Sequence, residues 1–534
     1  MLRWLTRMFS LCAVLFCLAV PARADVVIDW DNVLLQAVRA DKTPPPKASR
    51  DMAAVHVAVY DAVVGILGGY TPYSVTASAP PGASAEASAA AAAHKVLVAL
   101  FPAQSATFDS ALTTSLAAIP DGSAKSAGIS WGEAVADQIL ALRAADHSGE
   151  VVPHDVPTGA LWWIPTPPAF LPALLPNWPL VTPWCMTGGA QFRQGAPPAP
   201  GSAAYTAAFR EVKRLGRVDS TSRTADQTQA ALFWTDGGGT ATPPGHWLVI
   251  AQGISRQTHL SLLENARLFA LLGLTAADAA IVAWDQKYYY NDWRPVTGIQ
   301  NADQDGNPET AADPAWQPLL TTTPFPSYTS GHSTFSGSSA RILGLFLGSD
   351  AFSFSATSDS LPGVQRSFTS FSQAAGEAGQ SRIYGGIHWQ YDNQAGLVSG
   401  RGLAEHVFFN FLTPVASPGV CTAGATALCL GAGRFRVQAR WSTGTASGQA
   451  RAVSQAGDSG QLYFFDAGNT ELTVKALDGC IVNDRFWVFV SGLTNVEVLV
   501  TVTDTQSGRV RQYFNPQGKA FAPVQDTVAF AACP

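Results

Sequence analysis

Three polar clusters interrupt an otherwise apolar stretch between Trp284 and Asp392, and their residue types point to the handling of an anion. The first, WDQKYYYNDWRP, spaces Trp284, Lys287 and Arg294 so that a continuing helix would carry them on one face, with Pro295 ending it. In the second, FPSYTSGHSTFSGSSARILGLFLG, Ser330-Gly331-His332 runs into an apolar helical pattern. Free backbone N–H groups and the positive end of a helix dipole then face the loop. Gly331 permits close backbone approach, Ser330 can donate a hydroxyl hydrogen bond, and His332 can pass protons. The third, SRIYGGIHWQYDNQAG, puts Arg382 six residues before His388 across a Gly-Gly turn. His388 and Asp392 stand four apart, neighbours on one helical face, where a carboxylate can orient an imidazole as ligand or nucleophile. Each cluster alone has an ordinary structural reading. Together they supply three cations, two histidines and a helix N-terminus, a set suited to one tetrahedral oxyanion.

The elements that position these residues are mainly helical from Asp25 to about Thr413. Segments 48–66, 84–100, 125–145, 258–272 and 275–291 are rich in Ala, Leu and Val with apolar residues on one face, the pattern of a helical bundle. Pro153–Pro200 breaks the pattern, holding 12 of the 35 prolines together with Trp162, Trp163, Trp178 and Trp184. It reads as an ordered loop over the bundle, either lining a cleft or simply connecting across the surface. Beyond residue 416 come short alternating runs (434–441, 461–467, 471–477, 485–492, 496–504) separated by turn residues, which suggest a β-sandwich over 417–534. No internal repeat is visible.

Composition excludes several classes. The 534 residues suffice for two to four domains, and 47% hydrophobic against 13% charged residues argues against disorder. A net charge of −6 argues against a nucleic-acid-binding surface. Only the N-terminus approaches the ~18 apolar residues a membrane span needs. There Arg3 and Arg7, an apolar Met8–Val20 and Ala22-Arg23-Ala24 have the form of a secretory signal peptide cut before Asp25, which predicts a secreted or periplasmic protein with its catalytic part over 25–416. Cys421, Cys429, Cys480 and Cys533 read as two disulfides in any of three pairings, and Cys185 as a buried small hydrophobe. The stretch 301–309 lacks the closing glutamate of a calcium loop and reads as a polar turn.

The order Lys287, Arg294-Pro295, Pro326-Ser327 with Ser330-Gly331-His332, then Ser381-Arg382 with His388 and Asp392, resembles the motif shared by vanadium-dependent haloperoxidases and type 2 phosphatidic acid phosphatases. Tyr328-Thr329 interrupt the usual Pro-Ser-Gly-His, as an aromatic-rich FPxYxSGH stretch does in the chloroperoxidase branch. The resemblance covers the helical part and implies a helical bundle of that type with the β-domain appended. It implies vanadate as cofactor, bonded through His388 Nε2 and hydrogen-bonded by Lys287, Arg294, Arg382, Ser330 and the Gly331 N–H. Lys287 and Asp236 join His332 as implied catalytic residues, His332 being the acid/base. Trp284 and Phe325 would bound the halide pocket, Asp392 would support His388, and Asp236 would pair with Arg382. Hydrogen peroxide, a halide (chloride or bromide) and an organic acceptor are the implied partners, with no nucleic acid and no membrane span. The oligomeric state is open. The alternatives are a soluble acid phosphatase with His388 as nucleophile and a catalytically silent scaffold.

Overall fold

The computed structural model describes residues 25–156 and 159–533; the leader expected over 1–24 lies outside them. The helices α1 (Val26–Asp41), α2 (Pro45–Leu67), α3 (Ala85–Leu100), α4 (Ser105–Ala117) and α5 (Ser123–Arg143) come first. After the proline-rich connection follow α6 (Ala203–Leu215), α7 (Ala225–Phe233), α8 (Thr242–Thr258), α9 (Leu262–Tyr290), α10 (Pro295–Gln300) and α11 (Gly331–Leu347). A hairpin of β1 (Ala351–Thr357) and β2 (Gln365–Ser370) leads to α12 (Phe371–Tyr384) and α13 (Gln390–Asn410).

The segments 258–272 and 275–291, expected as two helices, are one, α9. Ser261 and Glu264 form a capping box at its start, an arrangement that contributes about 1 kcal/mol. Gly273 lets it cross α2: a Cβ there would lie 3.1 Å from Ala53 Cα. Length and apolar composition alone would let α9 cross a membrane, but its apolar window is wholly buried within the bundle. The sequence reading found no such run because Asn265, Arg267 and Asp278 interrupt it. Asp278 accepts the N–H groups of Trp184 and Cys185 at 2.7 Å each, tying the Pro153–Pro200 connection to the core. Among the described residues that connection carries only the single-turn helices Trp178–Leu180 and Gly189–Phe192, and Trp163, Trp178 and Trp184 anchor it while Trp162 is exposed. Cys185 is buried and unpaired.

Helices α11 and α13 cross closely because small residues meet. A Cβ on Gly396 would come 2.7 Å from Ser330 O, one on Gly337 2.9 Å from Leu397 O, and one on Gly400 would collide with Thr334 O. This crossing fixes the Ser330-Gly331-His332 turn against the start of α13.

The C-terminal part contains β3 (Leu428–Leu430), β4 (Phe435–Ser442), β5 (Ser447–Gln449), β6 (Arg451–Ala456), β7 (Ser459–Tyr463), β8 (Leu472–Asp478), α14 (Cys480–Asn483), β9 (Phe486–Gly492), β10 (Glu497–Asp504), β11 (Val510–Asn515) and β12 (Val524–Phe530). They build two five-stranded antiparallel sheets, ordered β11-β10-β4-β3 with β5 also on β4, and β12-β9-β8-β7-β6. Alternate residues of both sheets, among them Val437, Val500, Val474 and Val488, share one apolar cluster. Of the possible pairings the structure forms Cys421–Cys429 and Cys480–Cys533. The parts meet where Phe409 of α13 stacks on Phe514 of β11, ring centroids 4.8 Å apart.

Candidate active site

Lys287 lies in the last turn of α9, but Arg294 does not continue that face. Asn291 ends the helix in a left-handed conformation (φ 50°), and Arg294 instead caps α10, with Pro295 in its first turn. Proline tolerates the first turn of a helix, where its missing N–H has no partner to lose, so it starts a helix here rather than stopping one. The two cations nevertheless converge on Phe325: Lys287 Nζ sits 4.9 Å and Arg294 Cζ 4.8 Å from its ring centroid. The Trp284 ring packs against Phe325 at 4.9 Å, and its indole N–H donates to Leu174 O at 3.1 Å in the proline-rich connection.

Ser330 is the N-cap of α11. Its Oγ accepts from the Ser333 N–H at 3.3 Å and lies 2.9 Å from Ser333 Oγ, whose one hydrogen also faces Asn393 Oδ1 at 2.9 Å. Gly331 and His332 open the helix, so their N–H groups have no partner within it. A Cβ on Gly331 would meet only Trp284 at 3.6 Å and Phe335 at 4.0 Å, ordinary contacts. The packing therefore does not require glycine there, whereas close approach of a ligand to the backbone does.

His388 precedes α13 instead of lying on it, and Asp392 is the third residue of that helix. The expected contact forms through the capping turn, not through a shared helical face. Asp392 Oδ2 accepts from His388 Nδ1 at 2.7 Å, from the Trp389 N–H at 3.0 Å and from Ser327 Oγ at 2.6 Å. With Nδ1 donating to the carboxylate, the lone pair is on Nε2, where it accepts from Arg294 Nη1 at 3.1 Å. Burial first, then Arg294, Lys287 and Arg382, hold the His388 pKa well below 6.5. Burial also raises Asp392, to about 6, against the pull of Ser327 and the neighbouring cations.

The cations bond to neutral groups. Lys287 Nζ donates to the carbonyls of Pro326, Ser327 and Thr329, at 3.0, 3.0 and 2.6 Å, so all three of its N–H groups hold the loop before Ser330. Arg294 donates to Phe325 O, Ile387 O and Thr323 Oγ1. Arg382 donates to Trp234 O at 2.6 Å, and its buried Nε has no partner. All three are 0–2% exposed, and among the described residues none forms an ion pair with a carboxylate. Burial pushes Lys287 well below 10.5, Arg294 to about 9 and Arg382 to about 10. His332 has a buried Nε2 without a partner, and burial and then Arg382 lower its pKa well below 6.5.

Asp236 departs from expectation. Both its oxygens lie 3.1 Å from His246 Nδ1, and it makes no ion pair with Arg382, although its charge favours the guanidinium's protonated form. Asp236 occupies the left-handed region (φ 45°), its N–H donates to Ser360 Oγ at 2.9 Å, and its carboxylate is engaged by His246. Sequence reasoning missed Thr323 and His246, neither of which carries a distinguishing local pattern, and gave Ser327 a place in the motif but no role. Asp292 was also passed over; its backbone carbonyl accepts from the Ser327 N–H at 2.9 Å, and burial, then the Asp392 charge, push its carboxyl well above the usual carboxylate range.

Three buried cations that touch no carboxylate, and feel Asp392, Asp292 and Asp236 only from beyond contact, favour an added anion among them. The cations without a contacting carboxylate, the unpartnered Arg382 Nε and His332 Nε2, and the N-terminus of α11 at Gly331 all fit a tetrahedral oxyanion. His388 Nε2 supplies a lone pair beside them.

Comparisons with known proteins find vanadium haloperoxidases. Residues 267–417 match the family model of the VCPO second helical-bundle domain. A vanadium chloroperoxidase of Curvularia inaequalis is 27% identical over 391 residues, covering 58% of this chain and 64% of that protein, slightly less than two thirds of its length. The structure of a bacterial vanadium-dependent iodoperoxidase superposes with a TM-score of 0.64 at 29% identity, covering 73% of this chain and 96% of that one. A bacterial vanadium-dependent chloroperoxidase in its holo form superposes at 0.56 over 68% of this chain and 91% of that one; at 14% identity this is a likeness of fold alone.

Proposed function

We infer that this chain, a relative of the vanadium haloperoxidases, is a secreted vanadate-dependent enzyme that oxidises chloride or bromide with hydrogen peroxide to hypohalous acid, which then halogenates an organic acceptor. The observation that carries this reading is the trio Lys287, Arg294 and Arg382, buried without carboxylate partners around the lone pair of His388. Export is supported by the leader-like N-terminus and two disulfides. The two C-terminal sheets, sharing one apolar cluster, support a β-sandwich over 417–534.

Bound vanadate would supply Lewis acidity that polarises a peroxide oxygen without a change in its own oxidation state. The chain's residues do the rest. His388 Nε2 offers the lone pair, kept on that nitrogen by Asp392 at Nδ1. Arg382, with its free Nε, Ser330 and the Gly331 N–H hold the oxyanion's oxygens. Lys287 and Arg294, their donors mostly engaged with carbonyls, act chiefly through charge and by fixing the loops. His332, neutral and with Nε2 free, accepts a proton from an incoming peroxide and returns it to the departing oxygen. Trp284 and Phe325 form the apolar wall where a halide loses water; the Trp284 N–H is engaged with Leu174 and does not reach it.

The test is direct. Phosphate-stripped protein supplied with orthovanadate should brominate a phenol-red-type dye with peroxide, and parallel assays with chloride and iodide give the halide order. Rapid hydrolysis of p-nitrophenyl phosphate, inhibited by vanadate and without any halogenation, would instead establish the phosphatase reading.

A further inference from the structure

We propose that His246 is a positioning residue of the oxyanion cradle, acting through the Trp234–Asp236 segment on Arg382 and His332. The proposal rests on the reading of that cradle as an oxyanion site. His246 belongs to α8, outside the motif clusters, and is 4% exposed. It holds the segment at both ends. Its ring stacks on Trp234 with centroids 4.6 Å apart at 26°, and its Nδ1 lies 3.1 Å from each oxygen of Asp236. Between these contacts the backbone does the work of the site. Trp234 O accepts from Arg382 Nη1 at 2.6 Å, and the Trp234 and Thr235 backbone hydrogen-bonds His332, favouring its charged form against burial. The segment also holds a strained residue, since Asp236 sits at φ 45° in a region that L side chains disfavour. His246 is the only side chain that bonds the Asp236 carboxylate among the described residues. Without that donor the carboxylate is free to turn toward Arg382, whose charge it already feels, and so to compete with an anionic ligand for that guanidinium.

Two substitutions separate the donor from the packing. His246→Phe keeps a ring on Trp234 but has no Nδ1–H; His246→Asn places an amide N–H close to Nδ1 but loses most of the stack. Calorimetric titration of the full-length, anion-stripped protein with orthovanadate, and separately with inorganic phosphate, reads the effect without turnover, beside the melting temperature of each variant. The expected result is about tenfold weaker binding of both oxyanions by His246→Phe, the lower range for loss of a partner behind a ligand, and affinity within about threefold of the parent for His246→Asn. The melting temperatures should not follow that order. Parent-like affinity in folded His246→Phe, or equal weakening in both variants, overturns the proposal. A parent protein that binds neither oxyanion overturns the oxyanion reading and this inference with it.

Discussion

His388 shows how a residue's role can be legible in sequence while its geometry is not. The pairing with Asp392 follows from their spacing, but it forms through a capping turn, because the chain is extended at Trp389 and α13 begins only at Gln390. Arg382, Lys287 and Arg294 were legible as cations; that all three donate to backbone carbonyls depends on tertiary contacts no local pattern records. Substituting Asp392 with Ala should weaken vanadate binding 10- to 100-fold by freeing the imidazole to rotate and change tautomer, which titration of the stripped protein measures. Protonation offers a second check. Folding leaves His388 and His332 with pKa values well below 6.5, whereas the unfolded chain takes up protons near that value. Their contribution to stability is therefore present above pH ~6.5 and is lost as pH falls through the folded values. Urea unfolding of the ligand-free protein at pH 7.5 and 5 should accordingly show a larger loss for the parent than for a His332→Gln, His388→Gln double variant.

At the scale of elements, apolar periodicity revealed the helices but not which of them touch. The expected break at 273–274 falls on Gly273, a helix-weakening residue that here lets α9 cross α2, and polar Asn265, Arg267 and Asp278 each have a buried partner that sequence cannot display: Ser255, the Leu412 carbonyl and the Trp184–Cys185 backbone. The crossing of α11 and α13 was equally hidden, since Gly337, Gly396 and Gly400 look like ordinary helix-weakening glycines until the two backbones are seen to meet. Two alanines probe this crossing at different heights. Gly400→Ala presses on Thr334 O, a turn beyond the site, and should cost about 1–3 kcal/mol of stability by overpacking. Gly396→Ala presses on Ser330 O and Ser333 Cβ, so a similar loss of stability should come with weaker oxyanion binding. Urea midpoints and calorimetry on both variants decide the matter; undisturbed binding by Gly396→Ala would mean that the N-terminus of α11 is not part of the cradle.

At the scale of the whole molecule, a formal charge of −6 conceals an uneven distribution: residues 417–534 hold nine basic and eight acidic residues, so the acidity belongs to the helical part. Net charge gave no sign of the ligand, because three buried cations decide that locally. The change in hydrophobic period near 416 precedes the first C-terminal strand, which begins at Leu428, and cysteine usage anticipated two disulfides but not their partners, which depend on how the sheets bring distant turns together. Once those partners are known, chain entropy ranks them. Cys421–Cys429 closes a loop of 8 residues and Cys480–Cys533 one of 53. The loop-closure model gives about 2.5 kcal/mol for the first and about 4 kcal/mol for the second. Paired Cys→Ser substitutions at 480 and 533 should thus lower the unfolding midpoint of the β part more than those at 421 and 429, as near-ultraviolet circular dichroism in urea can follow. Neither pair touches the cradle, so oxyanion affinity should stay at the parent value. If it fell with the 480–533 pair alone, the Phe409–Phe514 stack and the ion pair of Arg341 with Glu405 would be transmitting strain from the sheets into α13 and α11, and the two parts would have to be treated as one cooperative unit.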